Sequence, residues 1–224
     1  MSTDHELVTL PDADALAKAA AELVARRARN AVEQHGKFTF AVSGGKTPWA
    51  MFAELAHEDV PWGSVVIFQV DERVAPDGDP SRNLTNLTNS LGDARSEAKV
   101  VAMPVTDPDL DRAAAEYASL LPDRFDLVHL GIGPDGHTAS LVPGDPVLLV
   151  TDRLVGLTGE YQGNRRMTLT YPAIERADEI LWLISGSDKR DALSKLLAGD
   201  TSVPAGRVEV EDQTILADAA SVEG

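Results

Sequence analysis

Hydrophobic positions along the chain change their period repeatedly, and each change marks an element boundary. Residues 10–36 carry apolar positions at helical spacing, with alanines through the middle. Pro11 suits the start of this segment, Arg26, Arg27 and Arg29 favour its C-terminal half, and Gly36 ends it, so a long surface helix is expected. Phe38-Thr39-Phe40-Ala41-Val42 then reads as a buried strand that stops at two glycines, with a helix resuming after Pro48. The alternation recurs, with strands expected over 65–70, 100–103, 126–132, 154–157, 167–170 and 179–185, and helices over 81–91, 110–121 and 187–197. Near-continuous apolar strands separated by helices predict an α/β fold, a mostly parallel central sheet covered by helices on both faces. In such sheets ligands gather at the carboxyl ends of the strands. No repeat or Ser/Gly linker marks a boundary, so 1–224 reads as one domain, with room for a small additional lobe. The Gly/Pro-rich stretch 131–163 reads as an active-site loop.

Composition narrows the function. The absence of cysteine excludes a disulfide scaffold, a thiolate metal site and a cysteine nucleophile, and it suits the cytosol. Asp and Glu number 36 against 20 Lys and Arg, a formal charge of −16 without a basic cluster, which argues against a nucleic-acid partner. An anionic ligand would then need a locally basic site. Residues 1–11 lack the basic start and apolar stretch of a signal peptide, and no segment approaches the roughly 20 apolar residues of a membrane helix. A cytoplasmic protein is expected, with a small-molecule partner and no membrane or nucleic acid, as a monomer or weak homodimer.

Three motifs carry candidate chemistry. Ser43-Gly44-Gly45-Lys46-Thr47-Pro48 lies between a buried strand and a helix, where glycines admit an anion close to the backbone and amides and hydroxyls donate to it. The same spacing also suits a plain capped turn. A P-loop would need glycine where Phe40 stands, and a nucleophile elbow would need glycine in place of Ala41. Asp71-Glu72-Arg73 follows a buried run, so it falls at the carboxyl edge of the sheet, where arginine can hold an oxyanion or phosphate and a carboxylate can hold sugar hydroxyls; a solvated ion pair reads equally well. Gly131-Ile132-Gly133-Pro134-Asp135-Gly136-His137-Thr138 contains a formal GxGxxG, but Pro143, Gly144 and Pro146 interrupt the helix that a dinucleotide site needs. What remains is a mobile glycine loop presenting Asp135 and His137. A histidine, ordinarily titrating near roughly 6.5, can take a proton from water, although a structural histidine fits the same pattern. The remaining histidines show no metal-ligand spacing with His137, so no metal is expected. Arg165, Arg166 and Lys189 could bind phosphate or serve only as surface charge.

In this order the segments resemble the 6-phosphogluconolactonase family of the pentose phosphate pathway, which shares a Rossmann-like fold with glucosamine-6-phosphate deaminases. The similarity runs from the Ser43 turn through Asp71-Glu72-Arg73, Gly131 to Leu141, Arg166 to Thr170 and Ser185 to Lys189, ending at Leu216-Ala217-Asp218. Deaminases of this fold usually follow the histidine with a stretch containing Asn-Glu; here Leu141-Val142 stand there. The family's Ser-Asn after the Asp-Glu-Arg loop is replaced by Arg82-Asn83, which weakens the carry-over for Asn83. The resemblance implies hydrolysis of 6-phosphoglucono-1,5-lactone without cofactor. Ser43, Gly44, Gly45, Lys46, Thr47, Arg166 and Lys189 would anchor the phosphate, and His137 would activate water. Asp135 or Asp71 would orient that histidine, and Arg73 would hold either the carbonyl oxygen or the phosphate. A deaminase and a non-catalytic sugar-phosphate sensor are the alternatives.

Overall fold

The structure, a computed structural model, describes residues 4–222. Its N-terminal half contains β1 (Asp4–Leu10), α1 (Ala13–His35), β2 (Phe38–Val42), α2 (Lys46–Leu55), β3 (Val65–Gln69), β4 (Asp71–Arg73), α3 (Asn83–Leu91), β5 (Lys99–Val101) and α4 (Leu110–Leu120). There follow β6 (Leu127–Leu130), β7 (Val155–Leu157), β8 (Arg166–Leu169), α5 (Tyr171–Ile174), β9 (Ile180–Ile184), α6 (Arg190–Leu197), β10 (Asp212–Asp218) and α7 (Ala219–Val222).

Seven strands form one parallel sheet in the order β1-β10-β9-β6-β2-β3-β5. From β2 the chain winds outward through β3 to β5, then returns to β6 on the other side of β2 and winds the opposite way. The order reverses between β2 and β6, and the crevice beyond their carboxyl ends is where a doubly wound sheet receives its ligand. The apolar strands are buried on both faces. Phe38, Phe40 and Val42 of β2 pack with α1, α2 and α3, whereas Ala41 faces the layer containing α4, α5 and α6. In β9, Leu181 and Leu183 take the first side and Ile180, Trp182 and Ile184 the second. The period-2 geometry of a strand thus feeds two cores, which is why these segments read as unbroken hydrophobic runs.

The sheet and its flanking helices match the expected class, with several local differences. Two strands of the parallel sheet escape the hydrophobic pattern: β1 and β10, whose polar residues obscure it, pair with each other in parallel along their whole length. Leu10 therefore ends a strand, and α1 starts only after Asp12, whose side chain accepts from the Ala15 amide at 2.8 Å. Gly36 closes that helix in the left-handed region at φ 83°, as its position predicts. α2 begins at Lys46, two residues ahead of Pro48, because a proline in the first turn needs no amide partner. The strands expected over 154–157 and 167–170 do not join the parallel sheet. They become β7 and β8 of a separate antiparallel sheet ordered β4-β8-β7, which forms the small additional layer. Asp71-Glu72-Arg73 is the third strand of that sheet and not a loop. The stretch 131–163 is likewise only partly loop, since β7 lies inside it.

Candidate active site

One cleft, about 610 Å³ in volume, opens at the carboxyl ends of β2 and β6. Ser43, Gly44, Gly45, Lys46 and Thr47 line one wall, and Asp71, Arg73, His137, Arg166 and Lys189 line the rest. Asp135 does not line it but meets His137 from behind. The crevice dictated by the strand order therefore contains nearly every residue singled out by the sequence.

The Ser43 turn is built to leave donors open. Gly45 takes φ 142° at the N-cap of α2, and no side chain caps the helix, so its first-turn amides and the positive end of its dipole face the cleft. Beneath the turn, the Ser43 amide donates to Nδ1 of His129 at 3.3 Å. Burial pushes the His129 imidazole down to about 3, so the ring is neutral and able to accept. Gly44 admits a close neighbour: a Cβ there would lie 1.9 Å from Asn83 Oδ1.

Asn83 sits over that glycine because Glu72 holds it. Glu72 is fully buried, and its carboxylate accepts from the amides of Arg73 at 2.8 Å, Asn83 at 2.7 Å and Leu84 at 2.9 Å. Gln69 Nε2 adds a bond at 2.9 Å, and Arg82 Nε approaches to 3.0 Å. A carboxylate from β4 thus supplies the N-terminal cap that α3 lacks in its own sequence. Asn83 in turn accepts from Arg73 Nη1 at 2.6 Å and donates to the Asp71 carboxylate at 3.1 Å, while Ser140 Oγ donates to the same carboxylate at 2.5 Å. Asn83 and Ser140 aim Arg73 and Asp71, a role that their sequence positions did not reveal.

Arg166, on β8, is buried yet weakly tied. Its guanidinium reaches Ser140 Oγ at 3.4 Å, Gln162 Oε1 at 3.4 Å and the Tyr161 carbonyl at 3.5 Å. Burial lowers its pKa from the ordinary arginine value, with Asp71 opposing the shift and nearby Arg73 adding to it. Arg166 Nε and Ser43 Oγ are both buried without a hydrogen-bond partner among the described residues. Unpaired buried polar groups are costly, and these two belong to residues that line the same cleft. Lys189 falls in a short 3₁₀ turn ahead of α6, not within the helix, and lies 3.0 Å from Asp188. That turn is anchored by Asp218, which accepts from Ser185 Oγ at 2.6 Å and from the Gly186 amide at 3.1 Å. Burial would raise the Asp218 pKa, but these bonds prevail and hold it below the ordinary carboxylate range.

His137 and Asp135 meet directly, Nδ1 to Oδ1 at 2.5 Å. Partial burial works against ionisation of Asp135, yet the bonds and charge of His137 outweigh it and depress the carboxyl pKa. Against an ionised Asp135, Nδ1 is the donor, and in the neutral tautomer the lone pair then lies on Nε2, a nitrogen with no hydrogen bond among the described residues. Asp71 bonds to Asn83 and Ser140 instead. The glycine loop that the sequence suggests to be mobile is pinned: Gly133 donates to the His137 carbonyl at 2.8 Å, Gly136 to Gly133 at 2.9 Å and Ala205 to Gly136 at 3.0 Å. Gly133 is required by contact, since a Cβ there would stand 2.0 Å from His137 Nδ1 and 2.6 Å from Asp135 Oδ1. Gly133→Ala is accordingly expected to displace the imidazole by about an ångström and lower turnover about 100-fold with the melting temperature little changed, as steady-state kinetics beside a thermal melt will show.

Among the described residues, no group of three or more His, Asp or Glu side chains converges as a metal site, and no helix is long and apolar enough to cross a membrane. The family model described as glucosamine-6-phosphate isomerases/6-phosphogluconolactonase matches residues 11–216. The chain is 35% identical over 228 residues to a 6-phosphogluconolactonase of Nostoc sp. (strain PCC 7120), spanning 95% of each. It is also similar to the crystal structure of a 6-phosphogluconolactonase from Shewanella baltica OS155, with TM-score 0.86 and 26% identity over 98% of this chain and 100% of that one. For the 6-phosphogluconolactonase structure from Thermotoga maritima the TM-score is 0.84 and the identity 28%, over 96% and 99% respectively. The crevice, its loops and these similarities agree, and the chain belongs to the glucosamine-6-phosphate isomerase/6-phosphogluconolactonase family.

Proposed function

We propose that the protein hydrolyses 6-phospho-D-glucono-1,5-lactone to 6-phospho-D-gluconate, the lactone-opening step of the oxidative pentose phosphate pathway, without a cofactor. The observation that carries this reading is the sharing of one cleft by a carboxylate-backed imidazole and a turn of open backbone donors flanked by Arg166 and Lys189. The Ser43 turn, the N-terminus of α2, Arg166 and Lys189 receive the phosphate. Fixing the dianion at one end sets the lactone carbonyl at the other, which converts binding into orientation. His137 Nε2 takes a proton from water as the oxygen attacks C1. The tetrahedral centre then collapses, the bond from C1 to the ring oxygen breaks, and the imidazolium returns its proton to that oxygen as it becomes a hydroxyl. Asp135 holds the ring and steadies its transient charge. Arg73, aimed by Asn83, faces the developing oxyanion, and Asp71 is left to accept from a sugar hydroxyl. A lactone is an activated ester, so neither a covalent nucleophile nor a metal is needed. In the same reading the protein works in the cytosol as a monomer or weak homodimer, on a free small molecule, independently of nucleic acid and membranes.

The test supplies lactone generated in place by oxidation of glucose 6-phosphate and follows 6-phosphogluconate above spontaneous opening. Catalysed formation is expected, with no ammonia released from glucosamine 6-phosphate. A rate equal to the blank would overturn the proposal, and binding without acceleration would make the protein a sensor.

A further inference from the structure

Tyr161 lies outside the cleft lining and belongs to none of the motifs described above. It nevertheless touches three groups of the site. Its hydroxyl donates to Asp135 Oδ2 at 3.3 Å. Its ring meets the His137 ring edge-on, with centroids 5.5 Å apart and planes at 69°. On the same ring rests the Arg166 guanidinium, its Cζ 5.0 Å from the centroid. Because Asp135 Oδ1 is taken by His137, the bond from Tyr161 occupies the second oxygen and fixes the plane of the carboxylate.

The position of this ring does not depend on a ligand. Tyr161 and Asn164 exchange backbone hydrogen bonds of 3.0 and 3.3 Å across a tight turn in which Gln162 (φ 52°) and Gly163 (φ 80°) both take left-handed conformations. That is the two-residue turn favoured by the twist of a hairpin, here joining β7 to β8. The Gly159 amide, bonded to Asp145 Oδ2 at 2.9 Å, ties down the approach to the turn. Burial and the charge of Asp135 push the phenol above its ordinary value, which keeps the hydroxyl a donor throughout the neutral range.

We infer that Tyr161 is a positioning residue that clamps the His137–Asp135 pair and Arg166 in one arrangement, coupling the seating of the substrate's phosphate to the aim of the base. The inference rests on the roles proposed above for His137 and Arg166. Its prediction is a split between two variants. Tyr161→Phe keeps the ring under Arg166 and loses only the bond to Asp135, so kcat falls about 3- to 10-fold with KM within about 2-fold. Tyr161→Ala loses the ring's contacts with His137 and Arg166 as well, so kcat falls further and KM for the phosphorylated lactone rises about 5-fold. Combined with Arg166→Ala, it adds nothing to the KM already lost, since the coupled pair acts as one unit. Thermal melts of both variants separate this from unfolding, and Tyr161→Phe stands as the test if the alanine variant does not fold. Unchanged kcat in Tyr161→Phe, or additive KM effects in the double variant, would overturn the clamp. His137→Ala, run in the same assay, separates the two levels: an inactive His137→Ala beside normal Tyr161 variants defeats the clamp alone, whereas an active His137→Ala defeats the underlying mechanism.

Discussion

His137→Ala is expected to lower kcat by at least about 100-fold while leaving KM for the phosphorylated lactone within a few-fold, because general base catalysis contributes roughly 10² to 10⁴ and the phosphate cradle is untouched. The ring is held at Nδ1 by Asp135 and lies against the close backbone of Gly133, and its remaining nitrogen makes no hydrogen bond among the described residues. Truncating it leaves Asp135 partly exposed to water and still bonded to the Tyr161 hydroxyl, so the melting temperature should move little. The measurement is initial rate against lactone concentration, corrected for spontaneous opening at every point. A variant that keeps near-full turnover would remove His137 from the mechanism and, with it, the reason for the Asp135 contact.

Arg166→Ala tests the other end of the substrate. Charge-assisted hydrogen bonds are worth about 1.5–3 kcal/mol, so KM for 6-phosphogluconolactone should rise about 10- to 150-fold, with a far smaller change for the unphosphorylated lactone. The contrast between the two substrates is the informative quantity. Among the described residues the guanidinium makes only long hydrogen bonds, so little within the fold competes for its Nη atoms if a phosphate reaches them. If both lactones suffer equally, Arg166 supports the fold of β8 and not the phosphate, and the cradle must be reassigned to Lys189 and the Ser43 turn.

Much of this was legible in the chain because the parallel sheet announces itself. β2, β3, β6 and β9 are buried on both faces and leave little room for polar residues, whereas β1 and β10 mix Asp, His, Glu, Gln and Thr with their apolar positions and carry no clear period. The glycine turn at Ser43 and the Asp135–His137 pair were readable because glycines and charges follow directly on buried strands. Asp71-Glu72-Arg73 illustrates what local pattern misses. Three consecutive charges look like a solvated loop, yet Glu72 is wholly buried, and its five partners come from Gln69, from the adjacent Arg73 amide and from the turn entering α3. Asn83, Ser140 and Tyr161 acquire their meaning only when β4, β8 and the loop after β6 converge. For Tyr161, the one local signal was an aromatic residue placed just before Gln162-Gly163, in a stretch otherwise short of large side chains.

The pairing of β1 has a consequence for biogenesis. Among the described residues its sole neighbour in the sheet is β10, and every other strand lies between the two in sequence, so β1 has nothing to pair with until those strands have been made. Closing so long a loop is entropically late and kinetically slow. β10 also ends in Asp218, the residue that secures the turn bearing Lys189. The turn that carries Lys189 therefore gains its anchor only once β10 has joined the sheet beside β9.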